Sequence, residues 1–403
     1  MKLQDSIHRK SLHVAILCRS LTPPNSVANV ALHHAKELAA QGIQVSLLSD
    51  SLPKKGLLKK LAAGVTGHEF HTFRFDALHR FGHLPTVFAF SITGLLALRR
   101  LDRRQSIDAL IVHSHPDGAL VGRWWNWRRR RPYALVSHGV VFDRPPGTYD
   151  PLLSWLYRIT TRPAFASADL VVALSPAMAA LAKDYGARAS RIRLIPNGIE
   201  ASEIGLDQSP SSAQAPTEDV FRLLFIGTLA PVKGLDVLLH ACAWLHHQDF
   251  AFSLSLIGSG SPAALASYRS LALELGLADR VDFLGLIPRQ RLGSHYQQHH
   301  LMVIPSRSDP LPTVVLEAML AGCPVLGAAV GGIPFLLENG VAGTLVQPES
   351  ATALAQAITG LAADPHRRLQ IADRARSVAQ QKFSWGQCGL QLADGLYELF
   401  NLK

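Results

Sequence analysis

The chain alternates short, uninterrupted apolar runs with longer amphipathic segments, and it does so twice over. In the first half LHVAILC (12–18), IQVSLLS (43–49), ALIVHSH (109–115), YALVSHG (133–139), DLVVALS (169–175) and RIRLIPNGI (191–199) each pass from apolar into polar residues. FRLLFIG (221–227), LSLIGSG (254–260), VDFLG (281–285), LMVIPS (301–306), CPVLGA (323–328) and GTLVQP (343–348) repeat the pattern in the second half. A strand that is apolar on both sides must be covered on both faces, which calls for a parallel sheet flanked by helices. In such α/β sheets ligands bind beyond the carboxyl ends of the strands, where these runs turn polar. Two such sheets facing each other would leave an interdomain cleft lined by the polar ends.

At 403 residues, with 48% hydrophobic and 17% charged residues, the chain predicts a packed globular protein of more than one domain. We place an N-terminal tail at 1–11 and a first Rossmann-like domain at 12–200. A linker follows at 201–219, where ASEIGLDQSPSSAQAPTED lacks apolar periodicity. A second Rossmann-like domain takes 220–383, and a last helix, 384–403, packs back on the first domain. Cys18, Cys242, Cys323 and Cys388 are scattered, which suits a reducing cytosol and offers neither a disulfide framework nor a zinc site. The start, MKLQDSIHRKSLHVAILC, is a poor signal peptide because Asp5 interrupts it and its apolar run is short.

The net charge of +10 is unevenly spread. Residues 1–200 hold 27 Lys and Arg against 13 Asp and Glu, whereas the rest holds 13 against 17. The basic clusters are Lys54, Lys55, Lys59 and Lys60, then Arg99, Arg100, Arg103 and Arg104, then GRWWNWRRRR at 122–131. Trp124, Trp125 and Trp127 beside Arg128 to Arg131 pair interfacial aromatics with cations. Each basic group near an anionic leaflet contributes roughly 1 kcal/mol, so the cluster points to a membrane surface. The uncharged stretch at 81–98 is broken by His83, Pro85, Ser91, Thr93 and Gly94, and predicts a buried or interfacial helix rather than a spanning one. No recognition helix or aromatic strand motif supports nucleic-acid binding.

The segment PSRSDPLPTVVLEAMLAGCPVLGAAVGGIP (305–334) places Asp309 in a turn and Glu317 about one turn inside the helix that follows. Free N–H groups at that helix start favour phosphate, while carboxylates beside it suit hydroxyl groups. A sugar nucleotide offers both. Upstream, a strand ends at Gly227, and Lys233-Gly234 opens the next helix, setting an amine beside a helix start. Gly258 and Gly260 follow another strand and permit close backbone approach. His138 leaves the strand YALVSHG. Each of these alone is commonplace; their order and strand context together are not.

On these residues the chain resembles the glycosyltransferase family 4 enzymes, of GT-B architecture. The resemblance spans about residues 12–400 and rests on SADLVVALSPAM, LIPNGIE, the Gly227–Gly234 segment, VDFLG, VIPSRSDPLPTVVLEAMLAGCPVLG, GGIP and NGVAGTLVQP. It implies a retaining transferase that moves a sugar from a nucleotide donor to an acceptor and needs no metal or other cofactor. It further implies that Lys233 neutralises the donor diphosphate, Asp309 holds donor-sugar hydroxyls, Glu317 binds the ribose and His138 stands near the anomeric centre. Gly227, Thr228, Gly258, Gly260, Leu311, Pro312 and Thr313 would line the donor site, with the amides of Leu311 and Thr313 meeting sugar or phosphate oxygens. Asn25 and Ser26 would serve the acceptor and the diphosphate.

The chain departs from the family pattern at several positions. Asp309 is one methylene shorter than the usual Glu, and Pro310 removes an N–H where Gly is common. Thr228 stands where Arg usually accompanies the lysine, the first loop PPNSVAN lacks a glycine pair, and Phe335 follows GGIP where an acid is frequent. The paired histidines His33-His34, His246-His247 and His299-His300, with His113 and His115, lack acidic or thiol partners at ligand spacing, so no metal site is expected. The resemblance and the basic first half together imply a peripheral enzyme at the cytoplasmic membrane face. Its acceptor would be a glycan or a lipid-linked sugar, in surface polysaccharide or glycolipid synthesis. A sugar-nucleotide epimerase and a non-catalytic scaffold are the rival readings.

Overall fold

The computed structural model describes residues 12–22, 26–52, 62–72, 84–113, 117–138, 159, 161–206 and 220–401. It divides into two units, one running up to Ile195 and resuming at Trp385, the other spanning Pro196–Ser384. The first 11 residues and 207–219 lie outside the described residues.

The first unit holds a seven-stranded parallel sheet in the order β3-β2-β1-β4-β5-β6-β7. Its strands are β1 His13–Leu17, β2 Gln44–Ser49, β3 Val65–Glu69, β4 Ala109–Val112, β5 Tyr133–Ser137, β6 Leu170–Ala173 and β7 Ile192–Leu194. β1, β4, β5 and β6 are buried at every position, which explains their unbroken apolar character. β3 was not among the apolar runs: VTGHE is an edge strand with no fully buried residue, so it carries no such signature. Helices α1 Ser26–Ala40, α2 Leu84–Arg104, α3 Asp117–Arg129 and α4 Pro176–Asp184 flank the sheet.

The aromatic-cation cluster of α3 resolves into three roles. Trp125 is fully buried in the core, so it is not interfacial. Trp124 lies beneath the Arg99 guanidinium, 4.1 Å from its ring centre. Only Trp127 is exposed, at 74%. Arg129 and Arg131 both pair with Asp102, at 3.3 and 3.4 Å. Along α2, Phe88, Ile92 and Leu96 are exposed at four-residue spacing and form a stripe on one helix face. Among the described residues no helix is long and apolar enough to cross a membrane.

The second unit holds a six-stranded parallel sheet in the order β10-β9-β8-β11-β12-β13. These are β8 Phe221–Ile226, β9 Phe252–Ile257, β10 Val281–Gly285, β11 Leu301–Ile304, β12 Val325–Ala328 and β13 Thr344–Val346. The helices that follow them include α5 Leu235–His247, α6 Pro262–Glu274, α7 Leu292–Gln298, α8 Thr313–Ala321 and α9 Ile333–Leu336, then α10 Ala351–Ala363 and α11 Pro365–Lys382. Part of the segment read as a linker is structured: Ala201–Ile204 form a 3-10 turn whose Ile204 is fully buried in this unit.

The last helix, α12 Trp385–Asn401, packs on α1 of the first unit. Trp385 is 1% exposed and stacks on His33, with ring centres 4.3 Å apart and planes 6° from parallel. Gly389 lets the helices close up, because a Cβ there would lie 2.3 Å from that of Glu37. Truncating a buried tryptophan removes both its transfer energy and the packing around it. We expect Trp385→Ala to destabilise the first unit by about 3 kcal/mol in urea unfolding; a loss below about 1 kcal/mol would contradict this packing.

Candidate active site

In the second unit the chain runs outward from β8 in two directions, through β9 and β10 on one side and from β11 on the other. The loops leaving β8 and β11 therefore diverge, and a crevice opens at the carboxyl ends of these neighbours. After β8, Pro231–Lys233 form a 3-10 turn, and Gly234, at φ 66°, starts α5. After β11, residues 305–312 lead into α8. The two loops are joined by the Arg307 N–H, which donates to the Val232 carbonyl at 2.8 Å.

Across this crevice Lys233 Nζ meets Asp309 Oδ2 at 2.5 Å. Asp309 is 5% exposed, while the Lys233 side chain keeps 27% of its surface. An ammonium has three N–H donors and a carboxylate about four acceptor sites, so the pair can hold each other and still bind further oxygens. Two glycines permit the surrounding backbone. A Cβ on Gly258, at φ 144°, would lie 1.8 Å from the Gly227 carbonyl oxygen, and one on Gly331 would lie 1.9 Å from that of Asp309. Gly260 approaches the Leu229 backbone, and Thr228 is exposed at the end of β8. Leu311 and Pro312 are buried, and Thr313 begins α8. Gly332 donates to the Asp309 carbonyl at 2.9 Å, fixing the loop that carries the acid.

Glu317, expected beside Asp309 at one ligand, has its own partners. It is 3% exposed, accepting from Arg289 Nε at 3.0 Å on one oxygen and from the Tyr296 hydroxyl at 2.9 Å on the other. Arg289 also pairs with Glu203, whose other oxygen accepts from the Glu200 N–H at 2.9 Å. Burial raises the Glu317 carboxyl, and Arg289 and Tyr296 oppose that rise. Arg289, Tyr296 and Glu203 were absent from the sequence-based site. The available signal was the setting VVLEAMLA, where a buried carboxylate demands a cation. Of the departures, Phe335 packs edge-on to Phe383, with ring centres 5.7 Å apart; in the loop that carries Asp309, Arg307 is engaged by Asp236 and Glu349.

The first unit brings three histidines into line at the carboxyl ends of β4 and β5. His113 follows β4 and His138 follows β5, and His34 reaches them from α1. His34 Nδ1 lies 3.3 Å from His113 Nε2, and His113 Nδ1 lies 3.0 Å from His138 Nε2. Burial lowers all three: His34 to about 3, His138 to about 4, and His113 well below its ordinary value. Ser26 is the exposed first residue of α1, whereas Asn25 and His115 lie outside the described residues. Among the described residues no group of three His, Cys, Asp or Glu could hold a metal ion.

Two parallel-sheet units, the second with a cation-carboxylate pair over its strand ends, define an α/β protein of the nucleotide-binding Rossmann type. A profile of glycosyl transferases group 1 matches residues 208–378, and one of the glycosyl transferase 4-like domain matches 25–198. D-inositol 3-phosphate glycosyltransferase of Nocardia farcinica is 32% identical over 407 residues, covering 97% of this chain and 88% of that protein. Its counterpart from Corynebacterium glutamicum is 29% identical over 402 residues, covering 95% and 94%. The structure is similar to sucrose-phosphate synthase of Thermosynechococcus elongatus (TM-score 0.80, 23% identity, 97% of this chain and 100% of that one). It is also similar to Anabaena HepE in complex with UDP-glucose (TM-score 0.74, 24% identity, 96% and 100%). The chain belongs to the glycosyl transferases group 1 family and is a glycosyltransferase of GT-B fold.

Two outcomes test this geometry. Arg289→Ala leaves the Glu317 carboxyl buried and uncompensated, and urea unfolding should show a loss of about 3 kcal/mol; an unchanged midpoint would contradict the clamp. The histidines set a pH dependence. Below about 6.5 the unfolded chain takes up protons that the folded histidines refuse until about 4 or lower. Stability should therefore fall as pH drops from 6.5 toward 4, and the slope should be shallower in His34→Leu. A midpoint independent of pH across that window would overturn the assignment of neutral histidines.

Proposed function

We propose that the chain transfers a hexosyl group from a nucleoside diphosphate sugar to a hydroxyl acceptor, with retention at the anomeric carbon. The observation that carries this reading is the Lys233–Asp309 pair at 2.5 Å, set where β8 and β11 diverge. Lys233 directs its remaining N–H donors at the diphosphate and stabilises the charge that grows on the leaving group. Asp309 offers its free lone pairs to hydroxyls of the transferred sugar. Glu317, aligned by Arg289 and Tyr296, takes the ribose hydroxyls. The start of α8 adds amides to the sugar and phosphate oxygens, through Leu311 and Thr313. His138 serves the sugar end of the donor, and Asn25 and Ser26 serve the acceptor side.

The acceptor is a glycan or a lipid-linked sugar presented at the cytoplasmic face of the membrane, in surface polysaccharide or glycolipid synthesis. Support comes from α2, where exposed Phe88, Ile92 and Leu96 run toward exposed Arg100, Arg103 and Arg104, and from exposed Trp127 on α3, the helix packed against α2. An apolar stripe next to cations suits an anionic leaflet. A second acceptor is favoured by the relatives, which are named for D-inositol 3-phosphate. A phosphorylated cyclitol would meet the same excess of cations in the first half.

Lys233→Ala should lower turnover at least 100-fold, the scale of losing one electrostatic contact to a transition state. Glu317→Ala should do the same, each in a panel of uridine and guanosine diphosphate sugars with lipid-linked, glycan and inositol phosphate acceptors. Near-normal transfer by both variants would sink the assignment. Flotation with anionic vesicles should be lost in a Phe88→Ser, Ile92→Ser, Leu96→Ser variant; undiminished flotation of that variant, or no flotation of the wild type, would remove the membrane part.

A further inference from the structure

We propose that His34 and His113 are positioning residues that lock His138 as a neutral imidazole with its proton on Nδ1, the ring nitrogen left for a ligand. The role at the sugar rests on the transfer reading above, but the tautomer lock itself does not.

Two contacts link the three rings. His138 Nε2 is engaged by His113 Nδ1 at 3.0 Å, and His113 Nε2 by His34 Nδ1 at 3.3 Å. A neutral imidazole carries one N–H and one lone pair, so each ring must donate on one side and accept on the other. The chain therefore has two consistent directions. In one, His34 Nδ1–H donates to His113, and His113 Nδ1–H donates to His138, leaving the His138 proton on Nδ1. In the other every proton sits on Nε2, and the His34 Nε2–H points away from the chain.

His34 decides between them. Its ring is fully buried, and its Nε2 has no hydrogen-bond partner among the described residues. The second direction would strand a buried N–H there, whereas the first strands only a lone pair. Orphaned N–H groups are the rarer of the two in folded proteins. Aromatic neighbours pack against this end of the relay. Trp385 of α12 meets the His34 ring edge-on at 6.2 Å and stacks on His33, so the helix that closes the unit also seals the relay. Burial keeps all three rings uncharged, which preserves one donor and one acceptor on each.

The consequence is chemical. His138 meets its ligand as a neutral N–H donor at Nδ1, fit to bond a sugar or phosphate oxygen, and it does not act as a base through Nε2. His113 and His34 act through His138 without touching substrate.

Long-range proton–nitrogen NMR on the full chain labelled with 15N-histidine reads the tautomers without any turnover. The expected spectrum has His138 protonated at Nδ1, bare at Nε2 and uncharged down to pH 5. A proton on Nε2, or a doubly protonated ring at pH 6, would overturn the proposal. His34→Leu, close in volume and apolar, should release the lock, mix the His138 tautomers and lower turnover about fivefold to tenfold, the scale of one neutral hydrogen bond. The donor KM should stay within about twofold, since the relay orients a group and does not supply general binding. His34→Asn, whose amide N–H2 can sit where Nδ1–H sat, should restore turnover. A His34→Leu protein with the wild-type His138 spectrum overturns the lock whatever its activity. A normal lock in a protein inactive on every donor would instead count against the transfer reading.

Discussion

The ion pair between Lys233 and Asp309 closes the gap between two loops that the sheet itself drives apart. β8 and β11 are neighbours, yet the chain leaves them toward opposite sides, so their loops separate unless something joins them. Opposite charges at 2.5 Å do so, with the Arg307 N–H to Val232 carbonyl bond beside them. Asp309 is 5% exposed, and an unpaired carboxylate there would be costly to bury. The same pairing keeps an ammonium at the crevice, partly open to solvent and with donors to spare. On the proposed reading, structure and ligand recognition draw on one contact.

Glu317 obeys the same rule on a different partner. Its carboxyl is held on both oxygens by Arg289 and Tyr296, and Arg289 is in turn held by Glu203. That chain of contacts recruits the turn Ala201–Ile204, a stretch whose composition looks like linker. Orientation is the gain: a carboxylate aligned by a guanidinium and a hydroxyl presents its remaining lone pairs in one direction.

Much of this was legible in the sequence, for physical reasons. Strands buried on both faces must be apolar throughout, so β1, β4, β5 and β6 announce themselves, while the edge strand β3 has no such need and gives no signal. Lys233, Asp309 and Glu317 stand out because charged residues flank apolar strands and helices at motif spacing. Their pairing was not legible. Arg289 lies 28 residues from Glu317, and nothing local in PRQRL marks it as a counter-ion. Trp125 shows the converse error: a tryptophan beside arginines reads as interfacial, yet helix periodicity turns it into the core while Trp127 faces out. His34 and His33 are adjacent in sequence, but only three-dimensional placement shows one aligned with His113 and the other stacked on Trp385.

On the proposed reading, the Lys233–Asp309 pair is the donor site. Calorimetric titration with a nucleoside diphosphate and with the matching nucleotide sugar tests it most directly. Lys233→Met should weaken both ligands at least tenfold. Asp309→Asn, by contrast, should weaken the sugar-bearing ligand more than the bare diphosphate. Wild-type affinity of Lys233→Met for both ligands would contradict it.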